Sequence, residues 1–150
     1  MKTRLLLLLS VLALVFTSCD ETKKVLDTAG SIQLSGTYIV ETIDGAHTDA
    51  TNITITFAAL DKSVRGNTGC NSLFGNYTLD LYALAFNDIA VTEMACEEPI
   101  HIKEQRFLAA IYDTGSYTFD NGLLTLFSKT DRSQSVSYTH LRAHETDSYL

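Results

Sequence analysis

Short segments in which apolar and polar residues alternate recur along much of this chain, and a two-residue period is typical of β-strands with one buried face. The clearest example is residues 52–57, whose isoleucines and phenylalanine should face the core while its threonines face outward. Strands with β-branched or aromatic residues are also predicted at 37–43, 63–68, 76–79, 84–86 and 89–94. The pattern therefore predicts a mainly β domain.

One stretch has helical spacing instead. Pro99 suits a first helical turn, where its missing amide hydrogen is not needed. Apolar residues then recur on one helical face that Glu104 interrupts: Ile100, Phe107, Leu108, Ile111 and Tyr112. Farther on, Asn121-Gly122 separates two alternating segments and predicts a tight hairpin. We expect one helix packed against a sheet.

Residues 65–96 carry the most specific pattern. The residues concerned are Gly66, Asn67, Gly69, Asn71, Phe74, Gly75, Thr92 and Met94, with Cys70 and Cys96 among them. This pattern resembles the META domain family, which includes the heat-shock protein HslJ, and the resemblance covers roughly residues 34–132. It implies a small antiparallel β-barrel with one packed helix. It also implies a non-enzymatic role at the cell envelope in heat or antibiotic stress, through partner binding or envelope stabilisation.

The N-terminus has the features of an export signal. Lys2 and Arg4 precede an apolar run, residues 5–15, that is too short for a permanent membrane span. Residues 16–19 then match a lipobox, which predicts that Cys19 is acylated after removal of residues 1–18. The alternative is an ordinary secretory signal in which Cys19 is incidental. Residues 19–33 are polar and aperiodic, and we interpret them as a tether.

These features predict a lipid-anchored protein of the cell envelope, at the outer membrane and facing the periplasm or the surface. The net charge of −7 disfavours nucleic acid, because binding to phosphates requires clustered Lys and Arg. We expect a monomer with an envelope protein as its partner and no cofactor.

The cysteines suggest a structural bond. With Cys19 assigned to lipid, Cys70 and Cys96 remain as a pair in an oxidising compartment. Closing a loop of this length contributes roughly 3 kcal/mol in the chain-entropy description. The rival interpretation is a redox or metal site that uses both thiols and His101, but a CxxC motif and a fourth ligand are missing from the sequence.

Other chemistry has weaker support. Acidic residues that could act as acid and base are Asp88, Glu93, Glu97 and Glu98, yet nothing in the sequence puts two of them in one cleft. His47 lies among small polar residues without an evident partner. Aromatic rings on strands either fill the barrel or line a pocket for a small apolar ligand; they are Tyr38, Phe57, Phe74, Tyr77 and Phe86. A ligand carrier is therefore an alternative to the partner-binding protein, and an enzyme is the least favoured hypothesis.

The C-terminus has an unusual origin in our interpretation. Residues 136–146 match the conceptual translation of a transposase-type sequencing adapter, so we predict a native domain at 34–135 and read-through at 136–150. The alternative is a genuine polar tail. Read-through would remove any functional claim for His140 and His144, and it predicts that a final strand after Lys129 is missing.

Overall fold

The fold is taken from a computed structural model, which describes residues 29–49 and 52–140. The predicted signal peptide, Cys19 and most of the predicted tether lie outside the described residues. Within the described part of the chain, no helix is both long and apolar enough to cross a membrane.

The described residues form nine antiparallel strands and one long helix. They are β1 Gly36–Ile43, β2 Ala46–His47, β3 Ile53–Phe57, β4 Ser63–Thr68, β5 Ser72–Asp80, β6 Ala83–Val91, α1 Glu98–Tyr112, β7 Thr114–Asp120, β8 Leu123–Ser128 and β9 Gln134–His140. Neighbouring strands pair in the order β2-β1-β3-β4-β5-β6-β7-β8-β9, and β9 also pairs with β1. This last pairing closes an eight-stranded barrel, with the short β2 as a side hairpin on β1. The predicted mainly β barrel with one packed helix is confirmed.

The barrel interior is filled by side chains. In β3, Ile53, Ile55 and Phe57 are buried and the threonines between them are partly exposed, as the alternation predicts. The largest fully buried rings are Tyr38, Tyr77, Tyr138, Phe57 and Phe107. Edge-to-face packing joins several of them, with the Phe57 and Tyr77 centroids 5.2 Å apart.

Both ends of the barrel are covered. At one end α1 inserts Phe107 and Ile111, each 1% exposed, into the core. At the other end the helical residues 29–34 bury Leu34, whose carbonyl oxygen accepts a 3.0 Å hydrogen bond from the Tyr38 hydroxyl. Ser31 is also buried, so part of the segment predicted to be a tether belongs to the folded domain.

β6 differs from the prediction of two separate strands at 84–86 and 89–94. It runs without a break from Ala83 to Val91, because a β-bulge absorbs the polar step that resembled a turn in the sequence. Asp88 has a positive φ of 52°, and the pairing with β5 shifts at this point. The strand ends three residues before Met94.

The seam between β6 and β7 is short. Residues Ala83 and Ser116 form the one registered pair, and the Tyr117 amide donates to the Tyr82 carbonyl oxygen at 3.1 Å. The chain between β6 and β7 contains α1. Among the described strands, most of β6 has registered pairing with β5 only.

A final strand does follow Lys129 in this structure, but most of it lies in the segment predicted to be read-through, so the absence of the native strand stays a prediction. β9 follows Lys129 and pairs with both β1 and β8, because residues 135–138 have enough apolar and small side chains to face the core. The hydroxyls of Ser135 and Tyr138 are buried and have no hydrogen-bond partner among the described residues. The read-through origin of residues 136–150 stays a prediction.

Candidate functional site

The site forms where the β4–β5 turn meets the segment that leads into α1. Gly69 has a φ of +102°, a conformation that favours glycine, and its amide donates to Asn67 Oδ1 at 2.7 Å. The Thr68 amide closes the turn by donating to the Asn71 carbonyl oxygen at 2.8 Å. The turn residues of the family motif therefore fix the backbone on which Asn71 is presented.

Cys70 and Cys96 are joined by the predicted disulfide, with their Cα atoms 6.1 Å apart. The bond ties the β4–β5 turn to the start of α1 across a sequence separation of 26. It uses both thiols, which the alternative metal site with His101 would have needed as free ligands. Among the described residues, no group of three or more His, Cys, Asp and Glu side chains is placed to hold a metal.

Asn71 organises the segment that follows β6. It is 4% exposed, and its Oδ1 accepts from the Thr92 hydroxyl at 2.9 Å and from the Met94 amide at 2.8 Å. Its Nδ2 donates to Glu104 Oε2 at 3.1 Å. One side chain thereby holds two of the family's motif residues, Thr92 and Met94, against the helix.

Glu104 is the buried acidic group of the site. Its side chain is 5% exposed, and its carboxylate accepts hydrogen bonds from the Thr68 hydroxyl and from Asn71 Nδ2. His101 Nδ1, one helical turn earlier, lies 3.7 Å from Glu104 Oε2. Burying a carboxylate is costly unless hydrogen bonds compensate it, so these neutral donors explain how the helix tolerates it.

A groove opens beside this network, between α1 and residues 91–95. We call it the α1 groove, and its volume is about 570 Å³. Its lining residues are Asn71, Val91, Thr92, Glu93, Met94, Ala95, His101, Glu104, Gln105, Leu108 and Tyr112. Met94 and Tyr112 are 65% and 54% exposed, so the groove has an apolar rim above a polar, hydrogen-bonded floor.

The family-motif residues divide into two groups. Asn67, Gly69, Asn71, Thr92 and Met94 gather around the α1 groove or the turn beneath it, whereas Gly66 lies within β4. Phe74 and Gly75 lie apart on β5, where Phe74 is 48% exposed. A Cβ at Gly75 would come 3.0 Å from the Asn87 carbonyl oxygen, so the bulge of β6 requires a glycine opposite it.

The acidic residues considered for acid–base chemistry occupy separate positions. Glu93 lines the α1 groove and Asp88 lies at the bulge of β6. Glu97 and Glu98 lie at the N-terminus of α1, where negative charge suits the helix dipole. His47 is exposed on β2. His101 lines the groove, and its Nε2 lies 2.9 Å from Gln105 Nε2.

The aromatic residues considered as possible ligand contacts mostly fill the core. Tyr38, Phe57 and Tyr77 are buried, and Phe86 packs partly buried against them. Phe74 is the exposed exception.

Sequence reasoning did not assign a role to Glu104. The signal was present, because Glu104 is the one polar residue in an otherwise apolar helical stripe. A charged residue in such a position must find partners inside the protein, and here it finds Thr68 and Asn71.

Comparison with solved structures supports the same fold. An NMR structure of a protein from Burkholderia xenovorans is 21% identical, with a TM-score of 0.59 over 77% of this chain and 89% of that chain. The crystal structure of a DUF4847 family protein from Bacteroides vulgatus is 14% identical, with a TM-score of 0.52 over 77% of this chain and 99% of that one. At these identities the similarity concerns the fold alone.

A search of curated proteins found no match. The family profile of the META domain, in contrast, matches residues 31–140, which includes the turn, the disulfide and the whole α1 groove. The chain therefore belongs to the META domain family.

Proposed function

We propose that this chain is a lipid-anchored, non-catalytic envelope protein that binds a protein partner through the α1 groove. The observation that carries the proposal is an exposed apolar rim, Met94 and Tyr112, held above a floor fixed by Asn71 and Glu104. Exposed apolar side chains on a rigid frame are the usual basis of partner recognition.

The filled barrel supports a partner-binding protein over the ligand carrier. A carrier of this size would need internal volume, but three tyrosine rings and two phenylalanine rings occupy the described interior. The α1 groove, which is open to a ligand, lies outside the barrel and against the helix.

The second surface depression supports a non-catalytic role. It lies between the end of α1 and the β8–β9 turn and includes Asp113 and Asp131. Hydrogen bonds from Ser128 and Thr130 lower the pKa of Asp113, and those from Ser133 and Ser128 lower the pKa of Asp131. These hydrogen bonds brace the turn after β8, so we assign the two carboxylates a structural role.

The anchor completes the proposal. Acylation at Cys19 would hold the domain at the envelope, and the stress-related role implied by the family would then be exerted on a neighbouring envelope protein. A Cys19→Ser variant should move the protein from the membrane fraction to the soluble fraction. Retention of this variant in the membrane fraction would argue against the lipid anchor.

Photocrosslinking in living cells tests the groove. A photoreactive phenylalanine analogue replaces Tyr112, which lines the α1 groove. In the matched aromatic control the same analogue replaces Tyr82, which lies outside the groove and is 77% exposed. We expect one discrete crosslinked partner from position 112 and none from position 82. Equal capture from both positions, or no capture from position 112, would overturn the proposal.

A further inference from the structure

The α1 groove is continuous with an open edge of β6. The strand pairs with β5 from Ala83 to Val91, but its registered pairing with β7 stops at Ala83. Val91, at the other end of the strand, lines the groove. Among the described strands, none has a registered pair with the second edge of β6 over residues 85–91, and an edge without strand pairing is a template for one more strand.

The exposure of β6 fits such an edge. Leu84 is its only buried residue, while every residue from Ala85 to Val91 is exposed or partly exposed. The bulge at Asp88 interrupts the edge with a positive φ and a carboxylate, which is a common way to prevent uncontrolled pairing. The usable edge is therefore the short stretch from Ile89 to Val91, and it leads directly into the groove.

The charge of the groove selects a type of partner. Its lining contains the carboxylates of Glu93 and Glu104 and no Lys or Arg. Glu104 is buried with neutral hydrogen-bond donors, and the adjacent His101 side chain is 52% exposed. Glu93 is exposed, so it is available to pair with a cation brought by a ligand. A segment that carries Lys or Arg complements this surface, whereas an acidic segment is repelled.

The groove also offers apolar contacts on its walls. Met94 and Tyr112 stand exposed on opposite walls, and Leu108 lies partly buried between them and the core. Methionine adapts its shape to different partners, and a tyrosine ring binds both apolar groups and cations. These walls suit an extended peptide whose apolar side chains alternate with basic ones.

We infer that the α1 groove binds an extended, basic segment of a partner protein, which adds as a strand to the Ile89–Val91 edge of β6. The inference rests on the proposed function and names the chemistry of the partner. Backbone hydrogen bonds along the edge supply affinity, and Glu93 together with the apolar walls supplies the preference for basic and apolar side chains.

Hydrogen exchange with defined peptides tests the inference on the full-length protein in detergent. The probe is a capped nine-residue peptide of alternating valine and threonine with two lysines. One control replaces both lysines by glutamate, and a second is methylated on alternate backbone nitrogens. At saturation the lysine peptide should slow exchange in residues 89–91 about tenfold or more, and neither control should do so.

Matched variants separate charge from shape. Met94→Lys and Met94→Glu change an exposed rim residue whose hydrogen bond to Asn71 uses only the backbone amide, so both should keep the wild-type Tm. The Met94→Lys variant should bind the lysine peptide about two- to fivefold more weakly than the Met94→Glu variant does. Added salt should reduce this difference in affinity. Identical affinities for the two variants would overturn the charge argument.

Other occupants give distinct results. Protection of residues 89–91 by self-association without peptide would overturn the inference, and so would equal protection by the glutamate peptide. Binding of free lysine without amide protection would also overturn it. If position 112 captures a partner in cells while no basic peptide protects β6, the strand inference fails and the proposed function stands. If basic peptides bind but position 112 captures nothing in cells, the proposed function fails.

Discussion

Asn71 and Glu104 lie 33 residues apart in the sequence and are joined by a 3.1 Å hydrogen bond from Nδ2 to Oε2 inside the protein. The bond links the β4–β5 turn to the middle of α1. Asn71 also accepts hydrogen bonds from the Thr92 hydroxyl and the Met94 amide, so it fixes the position of both residues. The position of the α1 groove follows from this relationship, because both of its walls are tied to a single side chain.

Replacing Asn71 by aspartate tests that relationship. Asn71→Asp removes the Nδ2 donor and places a second carboxylate against Glu104, so we expect a loss of about 3 kcal/mol in the free energy of unfolding at neutral pH. Repulsion raises the pKa of the pair in the folded state. The lost stability should therefore return as the pH falls, when one carboxyl becomes protonated.

Denaturant unfolding of Asn71→Asp between pH 4 and 8 measures this effect. The matched control is Asn76→Asp, since Asn76 is exposed on β5 and its change should stay within about 0.5 kcal/mol. Equal stabilities of the two variants at neutral pH would show that the Asn71–Glu104 bond is unimportant for the fold.

The disulfide should contribute a large share of the stability. A Cys70→Ala, Cys96→Ala double variant removes the cross-link over a sequence separation of 26, and we expect a loss of about 2–4 kcal/mol. Thermal unfolding with and without reductant measures it: reductant should lower the Tm of the wild-type protein and leave that of the double variant unchanged. Two reactive thiols in the denatured, non-reduced protein would contradict the bond.

Two buried tyrosines should respond in opposite ways to loss of the hydroxyl. The Tyr38 hydroxyl donates to the Leu34 carbonyl oxygen at 3.0 Å, so Tyr38→Phe should cost about 1–2 kcal/mol. The Tyr138 hydroxyl is buried without a partner, so Tyr138→Phe should leave stability unchanged or raise it by about 1 kcal/mol. Chemical denaturation of the two variants side by side gives the comparison, and a costly Tyr138→Phe would mean that its hydroxyl is satisfied in solution.

Stability should fall at alkaline pH. Burial, with a smaller effect of Tyr77, raises the pKa of Tyr38 from 10.0 to about 12, and burial also raises the pKa of Tyr138 well above its usual value. The folded state thus favours neutral phenols. Their contribution is complete below pH 10, where the unfolded chain also keeps its protons, and it is lost as the pH rises toward about 12.

Tm measured from pH 8 to 12 tests the alkaline effect. The slope above pH 10 should be shallower in Tyr38→Phe than in the wild-type protein, because one of the coupled phenols is gone. An unchanged slope in this variant would mean that Tyr38 ionises equally well in the folded and unfolded chains.

The sequence predicted the local elements whose signals are themselves local. Alternation located β3, helical spacing with Pro99 located α1, and Asn121-Gly122 located the β7–β8 hairpin. The sequence predicted two strands where the structure has the single strand β6, and only pairing with β5 around Gly75 shows that Asn87 and Asp88 form a bulge.

The site was harder to predict because its contacts are long-range. Cys70 and Cys96 could be paired from the compartment and the cysteine count, but Asn71 and Glu104 meet only once the barrel has closed and α1 has packed across its end. The open edge of β6 depends on which strands fail to pair, and the residues of the strand do not determine this by themselves.

The most direct test of the account is the ratio of partner capture at position 112 to that at position 82 in living cells, with Cys19 intact. The account predicts a discrete crosslinked partner at position 112 that is lost with the Asn71→Asp change, since that change releases one wall of the groove. A partner captured equally at position 82, or capture at position 112 that survives Asn71→Asp in a destabilised protein, would contradict it.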